Sequence, residues 1–126
     1  MENSLEIILQ RTKWFRQSRF GMFIHFGLYA IPGRGEWIRS NEHMTIEDYQ
    51  PYFDAFNPSE FDAKAWAKAA KDAGMKYVVL TAKHHDGFCL FDSEYTDYKI
   101  TNTVFGRDLV KEFVEAVRAE GLRVGL

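Results

Sequence analysis

Three histidines and an adjacent acid–tryptophan pair are the residues of this sequence best suited to chemistry. They are His25, Glu36, Trp37, His84 and His85. An imidazole both donates and accepts hydrogen bonds, a carboxylate accepts them, and the face of an indole packs against C–H groups. This combination suits a small polyol with one apolar face, and it predicts a sugar-binding site.

The same residue types permit a second interpretation, a metal site. The three histidines, together with Asp86 or Glu36, could ligate zinc or a similar ion. Adjacent histidines rarely reach one metal ion together, and the sequence contains no His-x-His or His-x-x-x-His spacing. We therefore expect neither a metal nor a cofactor. We expect Asp86 to orient a histidine or to cap the turn with Gly87.

A repeating order of strand, loop and helix has to position these residues. Short apolar runs predict buried strands, and apolar residues at helical spacing between an aspartate and a glycine predict helices. The predicted strands cover residues 20–27, 77–82 and 122–126, and the predicted helices cover residues 62–73 and 108–120. His25 lies at the end of the first strand, and His84 and His85 follow the second.

Two further helices are predicted from the residues before and between these elements. Residues 2–18 place Leu5, Ile8, Leu9 and Phe15 near helical spacing, which predicts a leading helix. In the long connection over residues 28–61, a short helix is expected from Thr45 to Phe53, with Thr45 as its cap and Asp48 three residues later.

The predicted fold is α/β with a parallel sheet, and a closed barrel is favoured over an open sheet. No glycine-rich phosphate loop follows the first strand, and the long connections follow strands while the turns back to strands are short. The 126 residues are too few for a whole (β/α)8 barrel, which needs about 250 residues. We expect one domain, residues 1–126, that holds the first three strands of such a barrel. Its polar rim would be the carboxyl end of the strands, where His25, His84 and His85 should gather.

Composition argues against several classes of partner. The net charge is −2 with no block of like charges, so no nucleic-acid or membrane surface is indicated. Cys89 is the single cysteine, which leaves no internal disulfide. No apolar run of signal-peptide or membrane-span type occurs, and we expect a cytoplasmic location.

Four motifs resemble the α-L-fucosidases of glycoside hydrolase family 29. They are Arg19–Gly27 (RFGMFIHFG), Gly35–Trp37 (GEW), Tyr77–Phe88 (YVVLTAKHHDGF) and Arg107–Leu109 (RDL). The stretch KHHDGF is the most specific of them. The resemblance implies a retaining exo-glycosidase that removes terminal α-L-fucose from glycans or glycosides through a covalent intermediate. It also implies that His25, Glu36, Trp37, His84 and His85 line the fucose pocket.

The resemblance further implies that part of the machinery lies outside this chain. Retaining hydrolysis uses two carboxyl groups about 5 Å apart, a nucleophile and an acid/base. In the family the nucleophile is an aspartate at the end of the fourth barrel strand, beyond Leu126, and Glu36 matches a candidate for the acid/base. The rest of the barrel and the C-terminal β-sandwich of the family are missing too. We therefore expect the chain to be inactive alone and to need the missing remainder as its partner.

Two other functions remain open from the residues. One is a non-catalytic sugar-binding or assembly module that keeps the pocket without the chemistry. The other is a metal-dependent barrel hydrolase.

Overall fold

The computed structural model describes residues 4–126 and contains one parallel three-stranded sheet with six α-helices among those residues. The elements in chain order are α1 (Ser4–Arg11), α2 (Lys13–Ser18), β1 (Gly21–Ile24), α3 (Ile38–Asn41), α4 (Ile46–Asp54), α5 (Ala63–Asp72), β2 (Tyr77–Leu80), α6 (Leu109–Ala119) and β3 (Arg123–Gly125). Short 3₁₀ turns cover Leu28–Ala30 and Ile100–Asn102.

The sheet has the predicted parallel topology, with strand order β1-β2-β3. Gly21 pairs with Tyr77 and Ile24 with Leu80, while Tyr77 pairs with Arg123 on its other side. Each strand is shorter than predicted, and β1 and β2 end at Ile24 and Leu80, just before His25 and Thr81. The residues after both strands are therefore free to bend toward one another at the carboxyl edge of the sheet.

Helices α5 and α6 begin and end where the sequence predicts. Asp62 accepts hydrogen bonds from the backbone N–H groups of Lys64 and Ala65, and Asp108 caps α6 in the same way. Gly74 and Gly121 follow the two helices with positive φ angles of 82° and 72°, the left-handed stop that glycine adopts without strain.

The buried face of α5 differs from the predicted one. Trp66, Ala69, Ala70 and Ala73 share a helical stripe in sequence, but Ala69 and Ala73 are exposed and Trp66 is half-buried. The buried residues are instead Ala63, Ala67 and Ala70. Ala63, Ala67 and Ala70 lie four and three residues apart on one face, and this face of small side chains packs closely against α6.

The predicted leading helix is broken into two. Helix α1 ends at Arg11, and Thr12 lies between it and α2 with φ −92° and ψ −1°. The Thr12 hydroxyl donates to the Ile8 carbonyl oxygen at 2.8 Å, a bond that competes with the helical pattern. The start of the prediction, Glu2, lies outside the described residues. The expected apolar face, Leu5, Ile8, Leu9 and Phe15, is exposed in the part of the chain that the structure describes.

The prediction that the first strand is buried on both faces is wrong for β1. Strand residues alternate between faces, and the buried face contains Val78 and Leu80, which join the core with α5 and α6. The opposite face carries Phe23, which is 62% exposed, beside its strand partner Val79. One side of the sheet is therefore packed by α5 and α6, while on the other side Tyr77 contacts Trp14 and Phe15 of α2 and Phe23 remains exposed.

The connection after β1 contains the predicted helix α4, and before it a 3₁₀ turn and helix α3 that were not predicted. Thr45 and Asp48 form a reciprocal capping box at the start of α4, as the sequence indicates. Helix α3 begins directly after Trp37 and was expected to be loop. In residues 4–126 no helix is long and apolar enough to cross a membrane.

Candidate functional site

The candidate site lies at the carboxyl ends of β1 and β2. Because Ile24 and Leu80 are paired, the two strands end at the same level. The backbone N–H of Thr81 donates to the Ile24 carbonyl oxygen at 3.0 Å and extends the ladder by one bond. His25 and the segment that leads to His84 therefore start from one edge of the sheet.

The predicted site residues come together there, around Trp37. The ring centroids of His25 and His84 are 5.6 Å apart, and those of His84 and His85 are 4.7 Å apart. The Trp37 ring stacks on His85 with centroids 4.0 Å apart and planes 14° apart, and it meets His84 edge-on at 5.4 Å. The long first connection thus places Trp37 between histidines that follow another strand, and both neighbouring histidines face the same cluster.

Glu36 takes part through its backbone as well as its charge. The Nε2 atom of His85 lies 3.0 Å from the Glu36 carbonyl oxygen. A carbonyl oxygen only accepts, so Nε2 carries the proton and Nδ1 of the neutral ring is an acceptor. The Glu36 carboxylate makes no hydrogen bond within residues 4–126, and the side chain is half-buried.

His84 is the most enclosed of the three histidines. Its Nδ1 atom is buried and has no hydrogen-bond partner among the described residues. Burial lowers the pKa of His84, and the neighbouring charges of His85 and His25 add to this, while Asp86 and Glu36 oppose it. The neutral imidazole is therefore favoured. An unpaired N–H is costlier to bury than an unpaired lone pair, so the proton belongs on Nε2.

Tyr29, Thr81 and Phe23 support the cluster and were not found from the sequence. The Tyr29 ring lies 5.4 Å from His84, and its hydroxyl is 3.0 Å from the Thr81 hydroxyl. Burial raises the pKa of Tyr29, which keeps this hydroxyl protonated. Phe23 stacks on His25 at 5.2 Å. Phe23 could have been found, because residues two apart on a strand share a face.

Asp86 caps a turn, as one of its two predicted roles required, and bonds to no histidine among the described residues. Its Oδ1 accepts from the Phe88 backbone N–H at 3.1 Å, and its Oδ2 accepts from the Tyr49 hydroxyl at 3.2 Å. The carboxylate is buried and turned into the protein.

The metal alternative receives no geometric support from the described part of the chain. Across residues 4–126, no three His, Cys, Asp or Glu side chains lie close enough together to hold a metal ion. The histidines instead form ring contacts with one another and with Trp37.

Comparison with known proteins identifies α-L-fucosidases as relatives of this chain. α-L-Fucosidase 1 of Arabidopsis thaliana is 37% identical over 93% of this chain, and the plasma α-L-fucosidase of Homo sapiens is 36% identical over 93%. The α-L-fucosidase isoenzyme 1 structure from Paenibacillus thiaminolyticus superposes on 92% of the chain with a TM-score of 0.91 and 68% identity. The Thermotoga maritima α-fucosidase, solved in complex with fucose, covers 90% of the chain with a TM-score of 0.80 and 37% identity.

This chain spans less than a third of the Arabidopsis and human relatives, 22% and 29% of their lengths. It covers 28% of the Paenibacillus structure and 33% of the Thermotoga structure. The α-L-fucosidase family model matches residues 2–126, and the chain therefore belongs to the α-L-fucosidase family.

Proposed function

We propose that this chain supplies the fucose-binding part of a retaining α-L-fucosidase, which hydrolyses terminal α-L-fucose from glycans or glycosides. The observation that carries the proposal is the cluster at one edge of a parallel sheet, in which His84 and His85 contact Trp37 and His25 contacts His84. Family membership and the fucose-bound relative support the same ligand. A deoxy-sugar presents hydroxyl groups and a methyl-bearing apolar face. The imidazole rings can hydrogen-bond to the hydroxyl groups, and the half-exposed indole can pack against the apolar face.

The two adjacent histidines are proposed to have different hydrogen-bonding roles, His84 as a donor and His85 as an acceptor. With its proton on Nε2, neutral His84 offers a donor to a sugar hydroxyl oxygen. His85 donates its own Nε2 proton to the Glu36 carbonyl, which leaves its Nδ1 lone pair as an acceptor for a hydroxyl proton. Fixed donors and acceptors of this kind read which hydroxyls a sugar presents, because a mismatched group leaves a polar atom unpaired.

The sheet is proposed to be the first part of a (β/α)8 barrel. Three parallel strands in sequential order have helices packed on one face, and the other face carries exposed Phe23. A barrel places its helices outside and packs the inner face with side chains from further strands. It also gathers its active site at the carboxyl ends of the strands, the edge where the histidines lie.

Glu36 is the candidate acid/base, and the nucleophile is proposed to come from a part of the enzyme that this chain does not contain. A retaining enzyme needs a second carboxyl group about 5 Å from the first. Asp86 does not suit that role, because both of its oxygens accept hydrogen bonds inside the protein. We therefore expect residues 1–126 alone to release no product.

The test is hydrolysis of 4-nitrophenyl α-L-fucoside by the full gene product that contains this chain. We expect nitrophenol release, α-L-fucose as the first-formed anomer in NMR spectra, and little release from the matching α-L-rhamnoside. Fucose binding without turnover by the full product would favour the non-catalytic module. Neither binding nor turnover would contradict the proposed function.

His84 provides a sharper variant test. Glutamine can place an amide N–H near the position of imidazole Nε2, whereas asparagine places one near Nδ1. His84→Asn should therefore raise KM about tenfold, equivalent to roughly 1.4 kcal/mol for one hydrogen bond, while His84→Gln should raise it less. His43→Asn is the control, because His43 is exposed and its φ of 51° suits asparagine. Equal effects of the two His84 variants would contradict the assigned proton position.

A further inference from the structure

The buried carboxylate of Asp86 lies directly behind the histidine pair. It follows His85 in sequence, and it is only 6% exposed. Its two oxygens are held by groups on different elements. One accepts from the Phe88 backbone within its own turn, and the other accepts from the hydroxyl of Tyr49, a core residue of α4. The turn that carries His85 is thereby fixed to a helix from the previous connection.

Arg39 makes a second hydrogen bond to the turn that carries His85, this time from the segment that follows Trp37. It lies on α3, two residues after Trp37, and its Nη1 donates to the Asp86 backbone carbonyl at 3.1 Å. The guanidinium also lies 5.6 Å from the centre of the Tyr49 ring. Together with the bond from His85 Nε2 to the Glu36 carbonyl, two hydrogen bonds join the segment around Trp37 to the segment around His85.

We infer that Tyr49 and Arg39 are positioning residues, which act through Asp86 to hold the His85 ring against Trp37. Neither side chain makes a ring contact or hydrogen bond with Trp37 or a histidine in residues 4–126, so neither is assigned contact with the sugar. The inference rests on the proposed function for its effect on the substrate, but the geometry it concerns is present without substrate.

The Tyr49 hydroxyl is a dependable donor for this role. Burial and the charge of Asp86 raise the pKa of Tyr49, so the phenol keeps its proton. A donor anchored in the core and bound to a desolvated carboxylate allows little movement of the turn that follows. Loosening this link should let His85 leave the stack without unfolding the sheet, because α4 and β2 keep their own core contacts.

The test uses the full gene product and the Tyr49→Phe variant, which removes only the hydroxyl. Tyr98→Phe is the matched control. Tyr98 lines the same small cavity of about 180 Å³ beside Asp86, and its hydroxyl makes no hydrogen bond to Asp86 among the described residues. Arg39→Gln, at a half-buried position, tests the Arg39 hydrogen bond and replaces Tyr49→Phe if that variant does not fold.

Fluorescence of Trp37 reports the stack without any substrate. The other two tryptophans, Trp14 and Trp66, are first replaced by phenylalanine. A protonated imidazole in contact with an indole quenches its emission, so Trp37 emission should be weaker at acidic than at alkaline pH while His85 lies in the stack. His85→Gln defines the signal that remains without the stack. We expect Tyr49→Phe and Arg39→Gln to lose at least half of the quenching that depends on His85, and Tyr98→Phe to keep it.

Kinetics separate positioning from general destabilisation. A less well-placed His85 should weaken sugar binding, so Tyr49→Phe should raise KM for the aryl fucoside roughly 3- to 10-fold with kcat changed less than about 2-fold. A purely structural role would lower the active fraction, and hence kcat, at unchanged KM. Unchanged quenching and unchanged KM in both Tyr49→Phe and Arg39→Gln would overturn the inference. If the wild-type protein hydrolyses no fucoside, the proposed function fails, and the fluorescence still decides the positioning role.

Discussion

The Thr81 hydroxyl joins the ends of β1 and β2 just behind the histidine cluster. It accepts from the Phe26 backbone N–H at 3.1 Å and pairs with the Tyr29 hydroxyl at 3.0 Å. It also lies 3.3 Å from the Ile24 carbonyl oxygen, to which it can donate. Thr81→Val keeps the branched shape and removes every one of these bonds.

The expected cost follows from the groups left without a partner. Tyr29 is 5% exposed, and its hydroxyl would keep the Phe26 backbone N–H as a donor but lose Thr81 as the acceptor of its own proton. Phe26 is half-buried, so removing the Thr81 acceptor from its backbone N–H should lower the stability by less. At about 1–3 kcal/mol for each buried group left unpaired, Thr81→Val should lower the free energy of unfolding by roughly 2–4 kcal/mol. Thr81→Ser keeps the hydroxyl and loses one half-buried methyl group, which is worth less than about 0.8 kcal/mol.

Urea unfolding of the full gene product, followed by far-UV circular dichroism, measures both variants. Combining Thr81→Val with Tyr29→Phe should recover part of the loss, with a coupling energy of about 1 kcal/mol, because the tyrosine no longer has a hydroxyl to satisfy. Equal stabilities of the valine and serine variants would refute the reasoning. So would a double variant whose cost is the simple sum of the two single changes.

Two further predictions concern protonation and helix capping. Because the pKa of His84 in the folded protein is below its ordinary value of 6.5, the unfolded chain binds more protons between these two values. The free energy of unfolding should therefore fall as the pH drops through that window, and His84→Gln should remove this contribution. Parallel curves of unfolding free energy against pH for wild type and variant would contradict the prediction. Asp62→Ala should lower the free energy of unfolding by about 1 kcal/mol, because two backbone N–H groups lose their acceptor. Asp72→Ala, which removes only an exposed ion pair with Lys68, should leave the urea midpoint nearly unchanged, and equal losses at the two positions would argue against the cap.

Local signals in the sequence determined the ends of α5 and α6 and the parallel order of the strands, and they indicated the candidate site residues. Asp62, Asp108, Gly74 and Gly121 mark the ends of α5 and α6, and caps and glycine stops act within a few residues along the chain. The histidines could be expected at one edge because parallel strands all end on the same side. These inferences need only periodicity and neighbouring residues.

The tertiary structure decided which face is buried and which distant groups meet. The face of α5 that packs, the break at Thr12 and the exposed side of β1 depend on what lies against each element. The pairing of Tyr29 with Thr81 crosses 52 residues of sequence, and that of Tyr49 with Asp86 crosses 37. Contacts of this kind follow from strand register and from the path of the connecting loops. No local propensity encodes either of these, and only the packed fold shows that Glu36 binds His85 through its backbone.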